Sequence, residues 1–141
     1  MKLTIEDKIP KPISEVYDAI VNPDKLINYF VTKTSNQIIE GKSASWDFGE
    51  EGQVTIRVTQ LEKDKLIEFN WPATGLTTNV EIKLEEIDVN TTKIVISEGE
   101  WKLDKDSVSI MVGQTQGWTG FINGLKSYLL FNINLREGKK L

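Results

Sequence analysis

Alternating apolar and polar positions run through most of the first hundred residues, and this period of two is typical of β-strands. A first strand is predicted over residues 2–9. From Thr32 to Trp101 the alternation predicts six more strands, over 33–40, 43–48, 53–61, 65–71, 77–88 and 91–101. Short polar joints separate these strands, so sequential neighbours are expected to pair antiparallel. One face of each strand is apolar, and a one-sided sheet needs an element that covers this face.

Two short helices are predicted between the first strand and the others. The first is indicated by apolar residues at helical spacing, Ile13, Val16, Tyr17 and Ile20. The second begins at Asn22-Pro23-Asp24, where a capping Asn, a Pro at the first helical position and an acid near the positive end of the dipole come together.

One long C-terminal helix is predicted over Ser107–Leu135, a stretch with a single formal charge, Lys126, and no proline. Its apolar stripe follows the spacing of a helix that buries one face, with Met111, Thr115, Trp118, Ile122, Leu125 and Leu129 in line and Val108 beside them. At about 1.5 Å per residue such a helix is long enough to cover the predicted sheet.

Four glycines gather on the opposite face of this helix, Gly113, Gly117, Gly120 and Gly124, near Phe121, Tyr128 and Phe131. Each glycine inside a helix costs about 1 kcal/mol relative to alanine, so the group requires an explanation. Three alternatives are open: a second copy of the chain packs there as a homodimer, the first helices or a strand edge cover the face, or the glycines let the helix bend around the sheet.

The composition and charge of the chain exclude several classes of partner and of chemical site. A chain of 141 residues suits one domain over 1–141, with 39% hydrophobic and 27% charged residues. The net charge of −4 argues against a nucleic-acid partner and against docking on anionic membranes. The chain has no Cys and no His, so we expect no metal site, no cofactor and no nucleophile–base pair.

The first residues lack the apolar region of a signal peptide and the long helix carries scattered amides, so we expect a cytoplasmic protein without a membrane span.

The order of strand, two short helices, six strands and long helix resembles the helix-grip superfamily, also called START-like or SRPBCC. Within it, the chain is similar to the family related to the C-terminal domain of activators of the heat-shock-protein-90 ATPase. The motifs that carry the resemblance are residues 13–20 with 22–26, the strand pair 54–71, the last strand 92–101, and Gly117-Trp118 followed by 125–129. The resemblance implies an α+β fold in which a curved antiparallel sheet grips the helix. It also implies a cavity for apolar or amphipathic ligands and a link to chaperones and the stress response.

Large aromatic side chains are expected between sheet and helix: Trp46, Phe48, Phe69, Trp71 and Trp118, with Phe30 at one mouth. Two interpretations stay open, a ligand cavity with apolar walls or a solid core that the rings simply fill. Met111, Thr115 and Ile122 would line the helix side of such a cavity. The Thr115 hydroxyl would either face a ligand or bond back to its own helix.

Glu98 continues the inward phase of Ile94 and Ile96 on the last strand, so its carboxylate is expected to face the apolar interior. It would anchor the polar head of a ligand or act as a general base. Alternatively it pairs with an inward cation, or the strand has already reached water at that point. Glu100 is expected past the rim, and Arg57 on the solvated face of the sheet.

Three functions are implied by the helix-grip resemblance together with these residues. The favoured one is a binding protein that takes a small apolar or amphipathic molecule beneath the long helix. The second is a chaperone cofactor resembling the heat-shock-protein-90 activators. The third is an enzyme of the cyclase or dehydratase kind that uses Glu98 with Thr115 or Tyr17.

Overall fold

Seven antiparallel strands form one sheet in the computed structural model, which describes residues 1–141. The strands are β1 (Leu3–Ile9), β2 (Lys33–Thr34), β3 (Ser43–Asp47), β4 (Gln53–Glu62), β5 (Leu66–Trp71), β6 (Thr78–Asp88) and β7 (Thr91–Gly99). Their order across the sheet is β1-β7-β6-β5-β4-β3-β2. Strands β2 to β7 therefore follow one another in chain order, and β1 lies at the edge of the sheet beside β7. The sheet curves around a long C-terminal helix, and the predicted α+β helix-grip fold is confirmed.

Three helices accompany the sheet: α1 (Ile13–Val21), α2 (Pro23–Leu26) and α3 (Lys105–Phe131). The predicted cap of α2 is confirmed, because the side chain of Asn22 accepts a hydrogen bond from the backbone N–H of Asp24 over 3.0 Å. Asp104 caps α3 in the same way through the N–H of Ser107, over 2.8 Å. None of the helices has the length and hydropathy that crossing a membrane requires.

The strand predicted over 33–40 is wrong beyond its first two residues, since only Lys33–Thr34 pair with β3. Polar side chains bond to the local backbone instead, as when the Asn36 amide donates to the next carbonyl over 3.1 Å. Such local bonds compete with a sheet ladder. The chain then turns inward, and Ile38 is buried near the end of α1, where its N–H donates to the Val21 carbonyl over 3.4 Å.

The long helix ends four residues earlier than predicted. Asn132 follows it in the left-handed conformation, at φ 55°, and its N–H closes the last turn on the Tyr128 carbonyl over 3.0 Å. This is a common way for a helix to end. The chain then forms a small hairpin of β8 (Ile133–Asn134) and β9 (Lys139–Lys140), in place of the predicted extension of the helix.

Lys126, the only charged residue of α3 beyond its first two positions, makes an ion pair with the sheet. Lys126 Nζ lies 3.1 Å from Oδ2 of Asp7, on the edge strand β1. Partial burial acts to raise the pKa of Asp7, but the backbone N–H of Lys8 and the Lys126 ammonium outweigh it and hold that pKa below its ordinary value. The pair therefore ties α3 to the β1 edge. Because both partners are partly exposed, its contribution to stability is small.

The glycine face of α3 is divided. Gly113, Gly117 and Gly120 are exposed, and a Cβ added to any of them would meet nothing within 4 Å. Gly124 is buried, and a Cβ there would lie 3.0 Å from the carbonyl oxygen of Tyr29. Phe121 is also buried, at 3% exposure, with its ring centroid 4.8 Å from that of Phe30. Phe121 therefore offers no exposed apolar area to a second copy of the chain.

Candidate functional site

Glu98 is a fully buried carboxylate held by three neutral donors. Its inward phase on β7 is as predicted, and its side chain has no exposed surface. The hydroxyl of Thr78, on the neighbouring strand β6, lies 2.7 Å from Oε2. Two donors come from α3: Gln114 Nε2 at 2.9 Å and Trp118 Nε1 at 2.7 Å, both to Oε1. The carboxylate thus joins two strands to the long helix.

The surroundings of Glu98 match neither of the structural alternatives predicted for it. No Lys or Arg pairs with the carboxylate, and the strand end at Glu98 has not reached water. A buried carboxylate loses its hydration, and hydrogen bonds to the charged form offset part of that loss. Glu100, by contrast, is exposed past the rim as expected. There it pairs with the N-terminal ammonium at 2.7 Å, an interaction that lowers the pKa of its carboxyl.

Aromatic rings fill the space beneath α3. Trp46 and Phe69 are 1% and 0% exposed, and their ring centroids are 5.3 Å apart. Trp118 reaches down from the helix, with its centroid 5.5 Å from that of Trp71. These separations are those of packed edge-to-face rings. The interior next to Glu98 is therefore a packed aromatic core, and the four main depressions of the surface all open to solvent.

One of these depressions, of about 350 Å³, lies at the mouth between sheet and helix, and two of its lining residues, Gln114 and Trp118, donate hydrogen bonds to Glu98. Four aromatic side chains form its walls, Phe30, Phe48, Trp71 and Trp118. The helix contributes Gln114 and Gly117 to its rim, and the remaining lining residues come from strand ends and loops: Glu51, Val54, Ala73 and Arg136. A volume above about 300 Å³ with mostly apolar walls and a few polar groups is typical of small-molecule sites.

The predicted site residues are divided between this mouth and the core behind it. Phe30, Phe48, Trp71 and Trp118 line the mouth. Trp46, Phe69, Ile122 and Glu98 are buried behind it. Met111 and Thr115 are half-buried on α3 and do not line the mouth, although Met111 packs against the core. The Thr115 hydroxyl donates to the Met111 carbonyl over 2.7 Å, which is the second of the two alternatives predicted for it.

Sequence reasoning missed several residues of the site, chiefly Gln114, Thr78 and Arg136. Gln114 precedes Trp118 by one helical turn, so the spacing i, i+4 puts both N–H donors on the same side of α3. That signal could have identified Gln114. Arg136 could not be found in this way, because its position depends on the unpredicted hairpin after α3.

A larger depression, of about 660 Å³, lies elsewhere, against the β4–β5 turn and the outer part of β6. Charged side chains make up much of its lining, among them Glu62, Lys65, Lys83 and Glu85. No group of three or more His, Cys, Asp or Glu residues in the protein could hold a metal ion. We therefore place the candidate site at the aromatic mouth, where apolar walls and an ordered polar cluster coincide.

Residues 10–130 match the sequence profile of the family described as activator of Hsp90 ATPase homolog 1-like protein. The chain belongs to this family. The matched range contains Trp118, Glu98 and the aromatic walls, whereas Arg136 lies outside it. A search of curated protein sequences gave no match.

Solved structures share the fold of this family member. Protein SSP2350 from Staphylococcus saprophyticus is 25% identical, with a TM-score of 0.84 and 96% of each chain covered. The Aha1 dimer from Colwellia psychrerythraea is 20% identical, with a TM-score of 0.80, and the match covers 93% of this chain and 97% of that one. DynU16, a protein of the dynemicin biosynthetic locus, is 22% identical with a TM-score of 0.83. That match covers 94% of this chain but only 48% of DynU16, so the chain spans about half of that protein.

Proposed function

We propose that this family member binds a small amphipathic molecule in the mouth between sheet and helix. The observation that carries the proposal is the depression of about 350 Å³ whose walls are the rings of Phe30, Phe48, Trp71 and Trp118. Aromatic walls favour an apolar, flat or branched body, because each ring offers a large contact area and a defined edge geometry. The ligand occupies the open mouth, since the space farther in is filled by Trp46 and Phe69.

The buried Glu98 acts as a positioning residue for this mouth. Its Oε1 receives N–H groups from Gln114 and Trp118, and both of these residues line the depression. The carboxylate therefore fixes the orientation of one wall and one rim residue before a ligand arrives. Such preorganisation raises affinity, because fewer side chains lose rotamer freedom on binding.

The geometry does not favour catalysis by Glu98. A general base must come within hydrogen-bond distance of the proton that it removes. The Glu98 carboxylate has no exposed surface, and its Oε1 is already shared by two donors. Thr115 bonds within its own helix, and the chain has no His or Cys to complete a nucleophile–base pair.

A chaperone role is the second candidate, supported by the family description that names the Hsp90 ATPase activator. A coupled ATPase assay with the chaperone and increasing amounts of this protein tests it directly. Stimulation that survives a substitution blocking the mouth would separate this role from ligand binding.

The exposed part of the glycine face is the surface that a homodimer would use. Gly113, Gly117 and Gly120 allow close approach of a second helix, and Phe131 nearby is 64% exposed. The related fold in Colwellia psychrerythraea is described as a dimer. Sedimentation equilibrium up to high micromolar concentration tests this state, and a monomer throughout that range would remove it.

Blocking the mouth provides the test of ligand binding. Gly117 lines the depression, and a Cβ there meets nothing within 4 Å, so Gly117→Leu places its Cβ in open space at the rim. Gly120→Leu is the matched control, because Gly120 is equally open but lines only the neighbouring groove. Native mass spectrometry of the purified protein, and calorimetric titration with 2-naphthalenemethanol as a neutral aromatic probe, provide the readouts.

We expect saturable binding of the probe to the wild type and to Gly120→Leu. Gly117→Leu should weaken binding about tenfold or more, since a branched side chain excludes part of the ligand from the apolar walls, at about 25 cal/mol for each Å² lost. Absence of saturable binding to the wild type, or equal binding to Gly117→Leu, would overturn the proposed function.

A further inference from the structure

We infer that the mouth selects amphipathic molecules whose polar end is an organic anion, and that Arg136 is the residue that pairs with this anion. The inference rests on the proposed function and specifies the class of ligand. Arg136 lies outside the range matched by the family profile, in the C-terminal hairpin that follows α3.

The hairpin after α3 holds Arg136 over the mouth. Asn134 is 4% exposed, and its side-chain oxygen accepts the backbone N–H groups of Arg136 and Glu137 over 3.0 and 3.2 Å. These bonds fix the turn that follows β8. The guanidinium carbon of Arg136 then lies 5.6 Å from the centre of the Phe48 ring, which is itself a wall of the depression. A cation in this place is ordered by the aromatic face beneath it.

The guanidinium of Arg136 has N–H groups that are free to bind a ligand. Its nearest carboxylate is Glu51, at 3.9 Å, which is too long for a hydrogen bond. The Glu51 side chain is 76% exposed, so this pair is loose and solvated. A guanidinium offers several N–H groups in a planar fork that matches a carboxylate or a similar oxyanion. An anionic ligand can therefore take the place of Glu51 beside Arg136.

A second donor in the site, the indole N–H of Trp71, also favours an anionic ligand. Trp71 lines the depression and is 7% exposed, yet its indole Nε1 is buried and has no hydrogen-bond partner in the protein. Buried donors are normally paired, and the indole N–H groups of Trp46 and Trp101 are also without a partner, but only Trp71 belongs to the wall of the depression, where its free donor favours a ligand with an acceptor. The one carboxylate that a cationic ligand would meet in the lining is Glu51, which is 76% exposed and stands beside the guanidinium of Arg136, while Glu98 behind the wall already receives three donors.

Three naphthalene probes of the same body and different charge test the inference: 2-naphthoate, 2-naphthalenemethanol and 2-naphthylmethylammonium. Isothermal titration with the wild-type protein at low ionic strength measures each dissociation constant. We expect 2-naphthoate to bind about three- to tenfold more tightly than the alcohol, and the ammonium probe to bind least tightly. Added NaCl should reduce the preference for the anion, since the pair is partly exposed.

Two substitutions distinguish pairing from a general effect of charge. Arg136→Gln should abolish the preference for 2-naphthoate over the alcohol. Arg57→Gln is the matched control, because it removes the same charge from the exposed face of the sheet, away from the mouth, and should keep the preference. Glu51→Gln should strengthen binding of 2-naphthoate, because it frees Arg136 from its only acidic neighbour at the mouth.

The outcomes separate this inference from the proposed function. Equal binding of the anion and the alcohol to the wild type, or an unchanged preference in folded Arg136→Gln, would overturn the inference and leave the binding function standing. Saturable binding of none of the three probes would overturn both.

Discussion

The indole Nε1 of Trp118 donates a hydrogen bond of 2.7 Å to Oε1 of Glu98, and this bond joins α3 to β7 at a point where both side chains are buried. The carboxylate also accepts from Gln114 and Thr78, but these two donors have alternatives. Gln114 reaches the open mouth, and the Thr78 hydroxyl lies 3.2 Å from the Trp71 carbonyl. Trp118 has no second acceptor, so it depends most on Glu98.

Glu98→Gln and Glu98→Met should therefore differ in stability. A glutamine keeps one carbonyl oxygen for Trp118 and Gln114, while its amide can donate to Thr78, so we expect a change within about 1 kcal/mol. A methionine of similar shape offers no such acceptor and leaves the indole N–H of Trp118 without a partner. This loss should lower the free energy of unfolding by about 1–3 kcal/mol. Urea unfolding of both variants measures the difference. Equal losses in the two variants would mean that the negative charge itself, rather than the acceptor, holds the helix to the sheet.

Trp118 also packs as a ring, and its truncation should be costly. The ring is 3% exposed and lies within 6.2 Å, centroid to centroid, of Phe30, Phe69, Trp71 and Phe121. We expect Trp118→Ala to lower the free energy of unfolding by about 3–5 kcal/mol. Trp118→Phe keeps much of the packing but loses the donor, so it should cost less. A loss below about 1 kcal/mol for the alanine variant would show that this ring is bordered by open space instead of packed neighbours.

Much of the architecture could be predicted because the pattern along the chain has a direct physical cause. Six of the seven sheet strands, β1 and β3 to β7, lie within two residues of the limits set by alternation, because one face of each must be apolar. The same alternation placed Glu98 inside. It failed at 35–40, where local polar bonds override a weak alternation, and at the end of α3, where a left-handed Asn132 ends a stretch that looks helical by composition.

The candidate site could be predicted only in part, because its shape depends on contacts between distant segments. The large aromatic residues were correctly expected between sheet and helix, but their pattern could not show that Trp46 and Phe69 close the interior while Phe48 and Trp71 leave a mouth open. That division follows from ring packing in three dimensions. The place of Arg136 follows from the turn held by Asn134, which carries no periodic signal.

The divided glycine face of α3 predicts opposite effects for the same substitution. Alanine at Gly113, Gly117 or Gly120 meets open space, so each change should stabilise the protein by about 0.5–1 kcal/mol through helix propensity. Alanine at Gly124 would place its Cβ 3.0 Å from the Tyr29 carbonyl oxygen and should destabilise it by about 1–3 kcal/mol. Thermal and urea unfolding of the four variants provide the comparison. Stabilisation by Gly124→Ala would contradict the close contact between α3 and the segment after α2.

Tyr29 predicts a pH dependence in the alkaline range. Its hydroxyl donates to the Ala19 carbonyl, in the last turn of α1, over 3.0 Å, and burial together with the nearby Tyr128 raises the pKa of Tyr29 well above its ordinary value. The unfolded chain loses this proton near pH 10, at about the ordinary tyrosine pKa, whereas the folded protein retains it. The contribution of Tyr29 to stability is therefore complete below about pH 10 and declines as the pH rises from there through the folded-state pKa.

Tyr29→Phe removes this titration and tests whether Tyr29 makes the protein less stable as the pH rises. At pH 7 the variant should be less stable than the wild type by about 1 kcal/mol, because the Ala19 carbonyl loses its partner. Above about pH 10 the difference should shrink, since only the wild type is destabilised by ionisation of this residue in the unfolded state. Urea unfolding at intervals from about pH 7 to pH 11 follows both proteins through that range. A difference that stays constant across the series would mean that Tyr29 ionises as easily in the folded protein as in the unfolded chain, and that its burial beneath α3 is wrong.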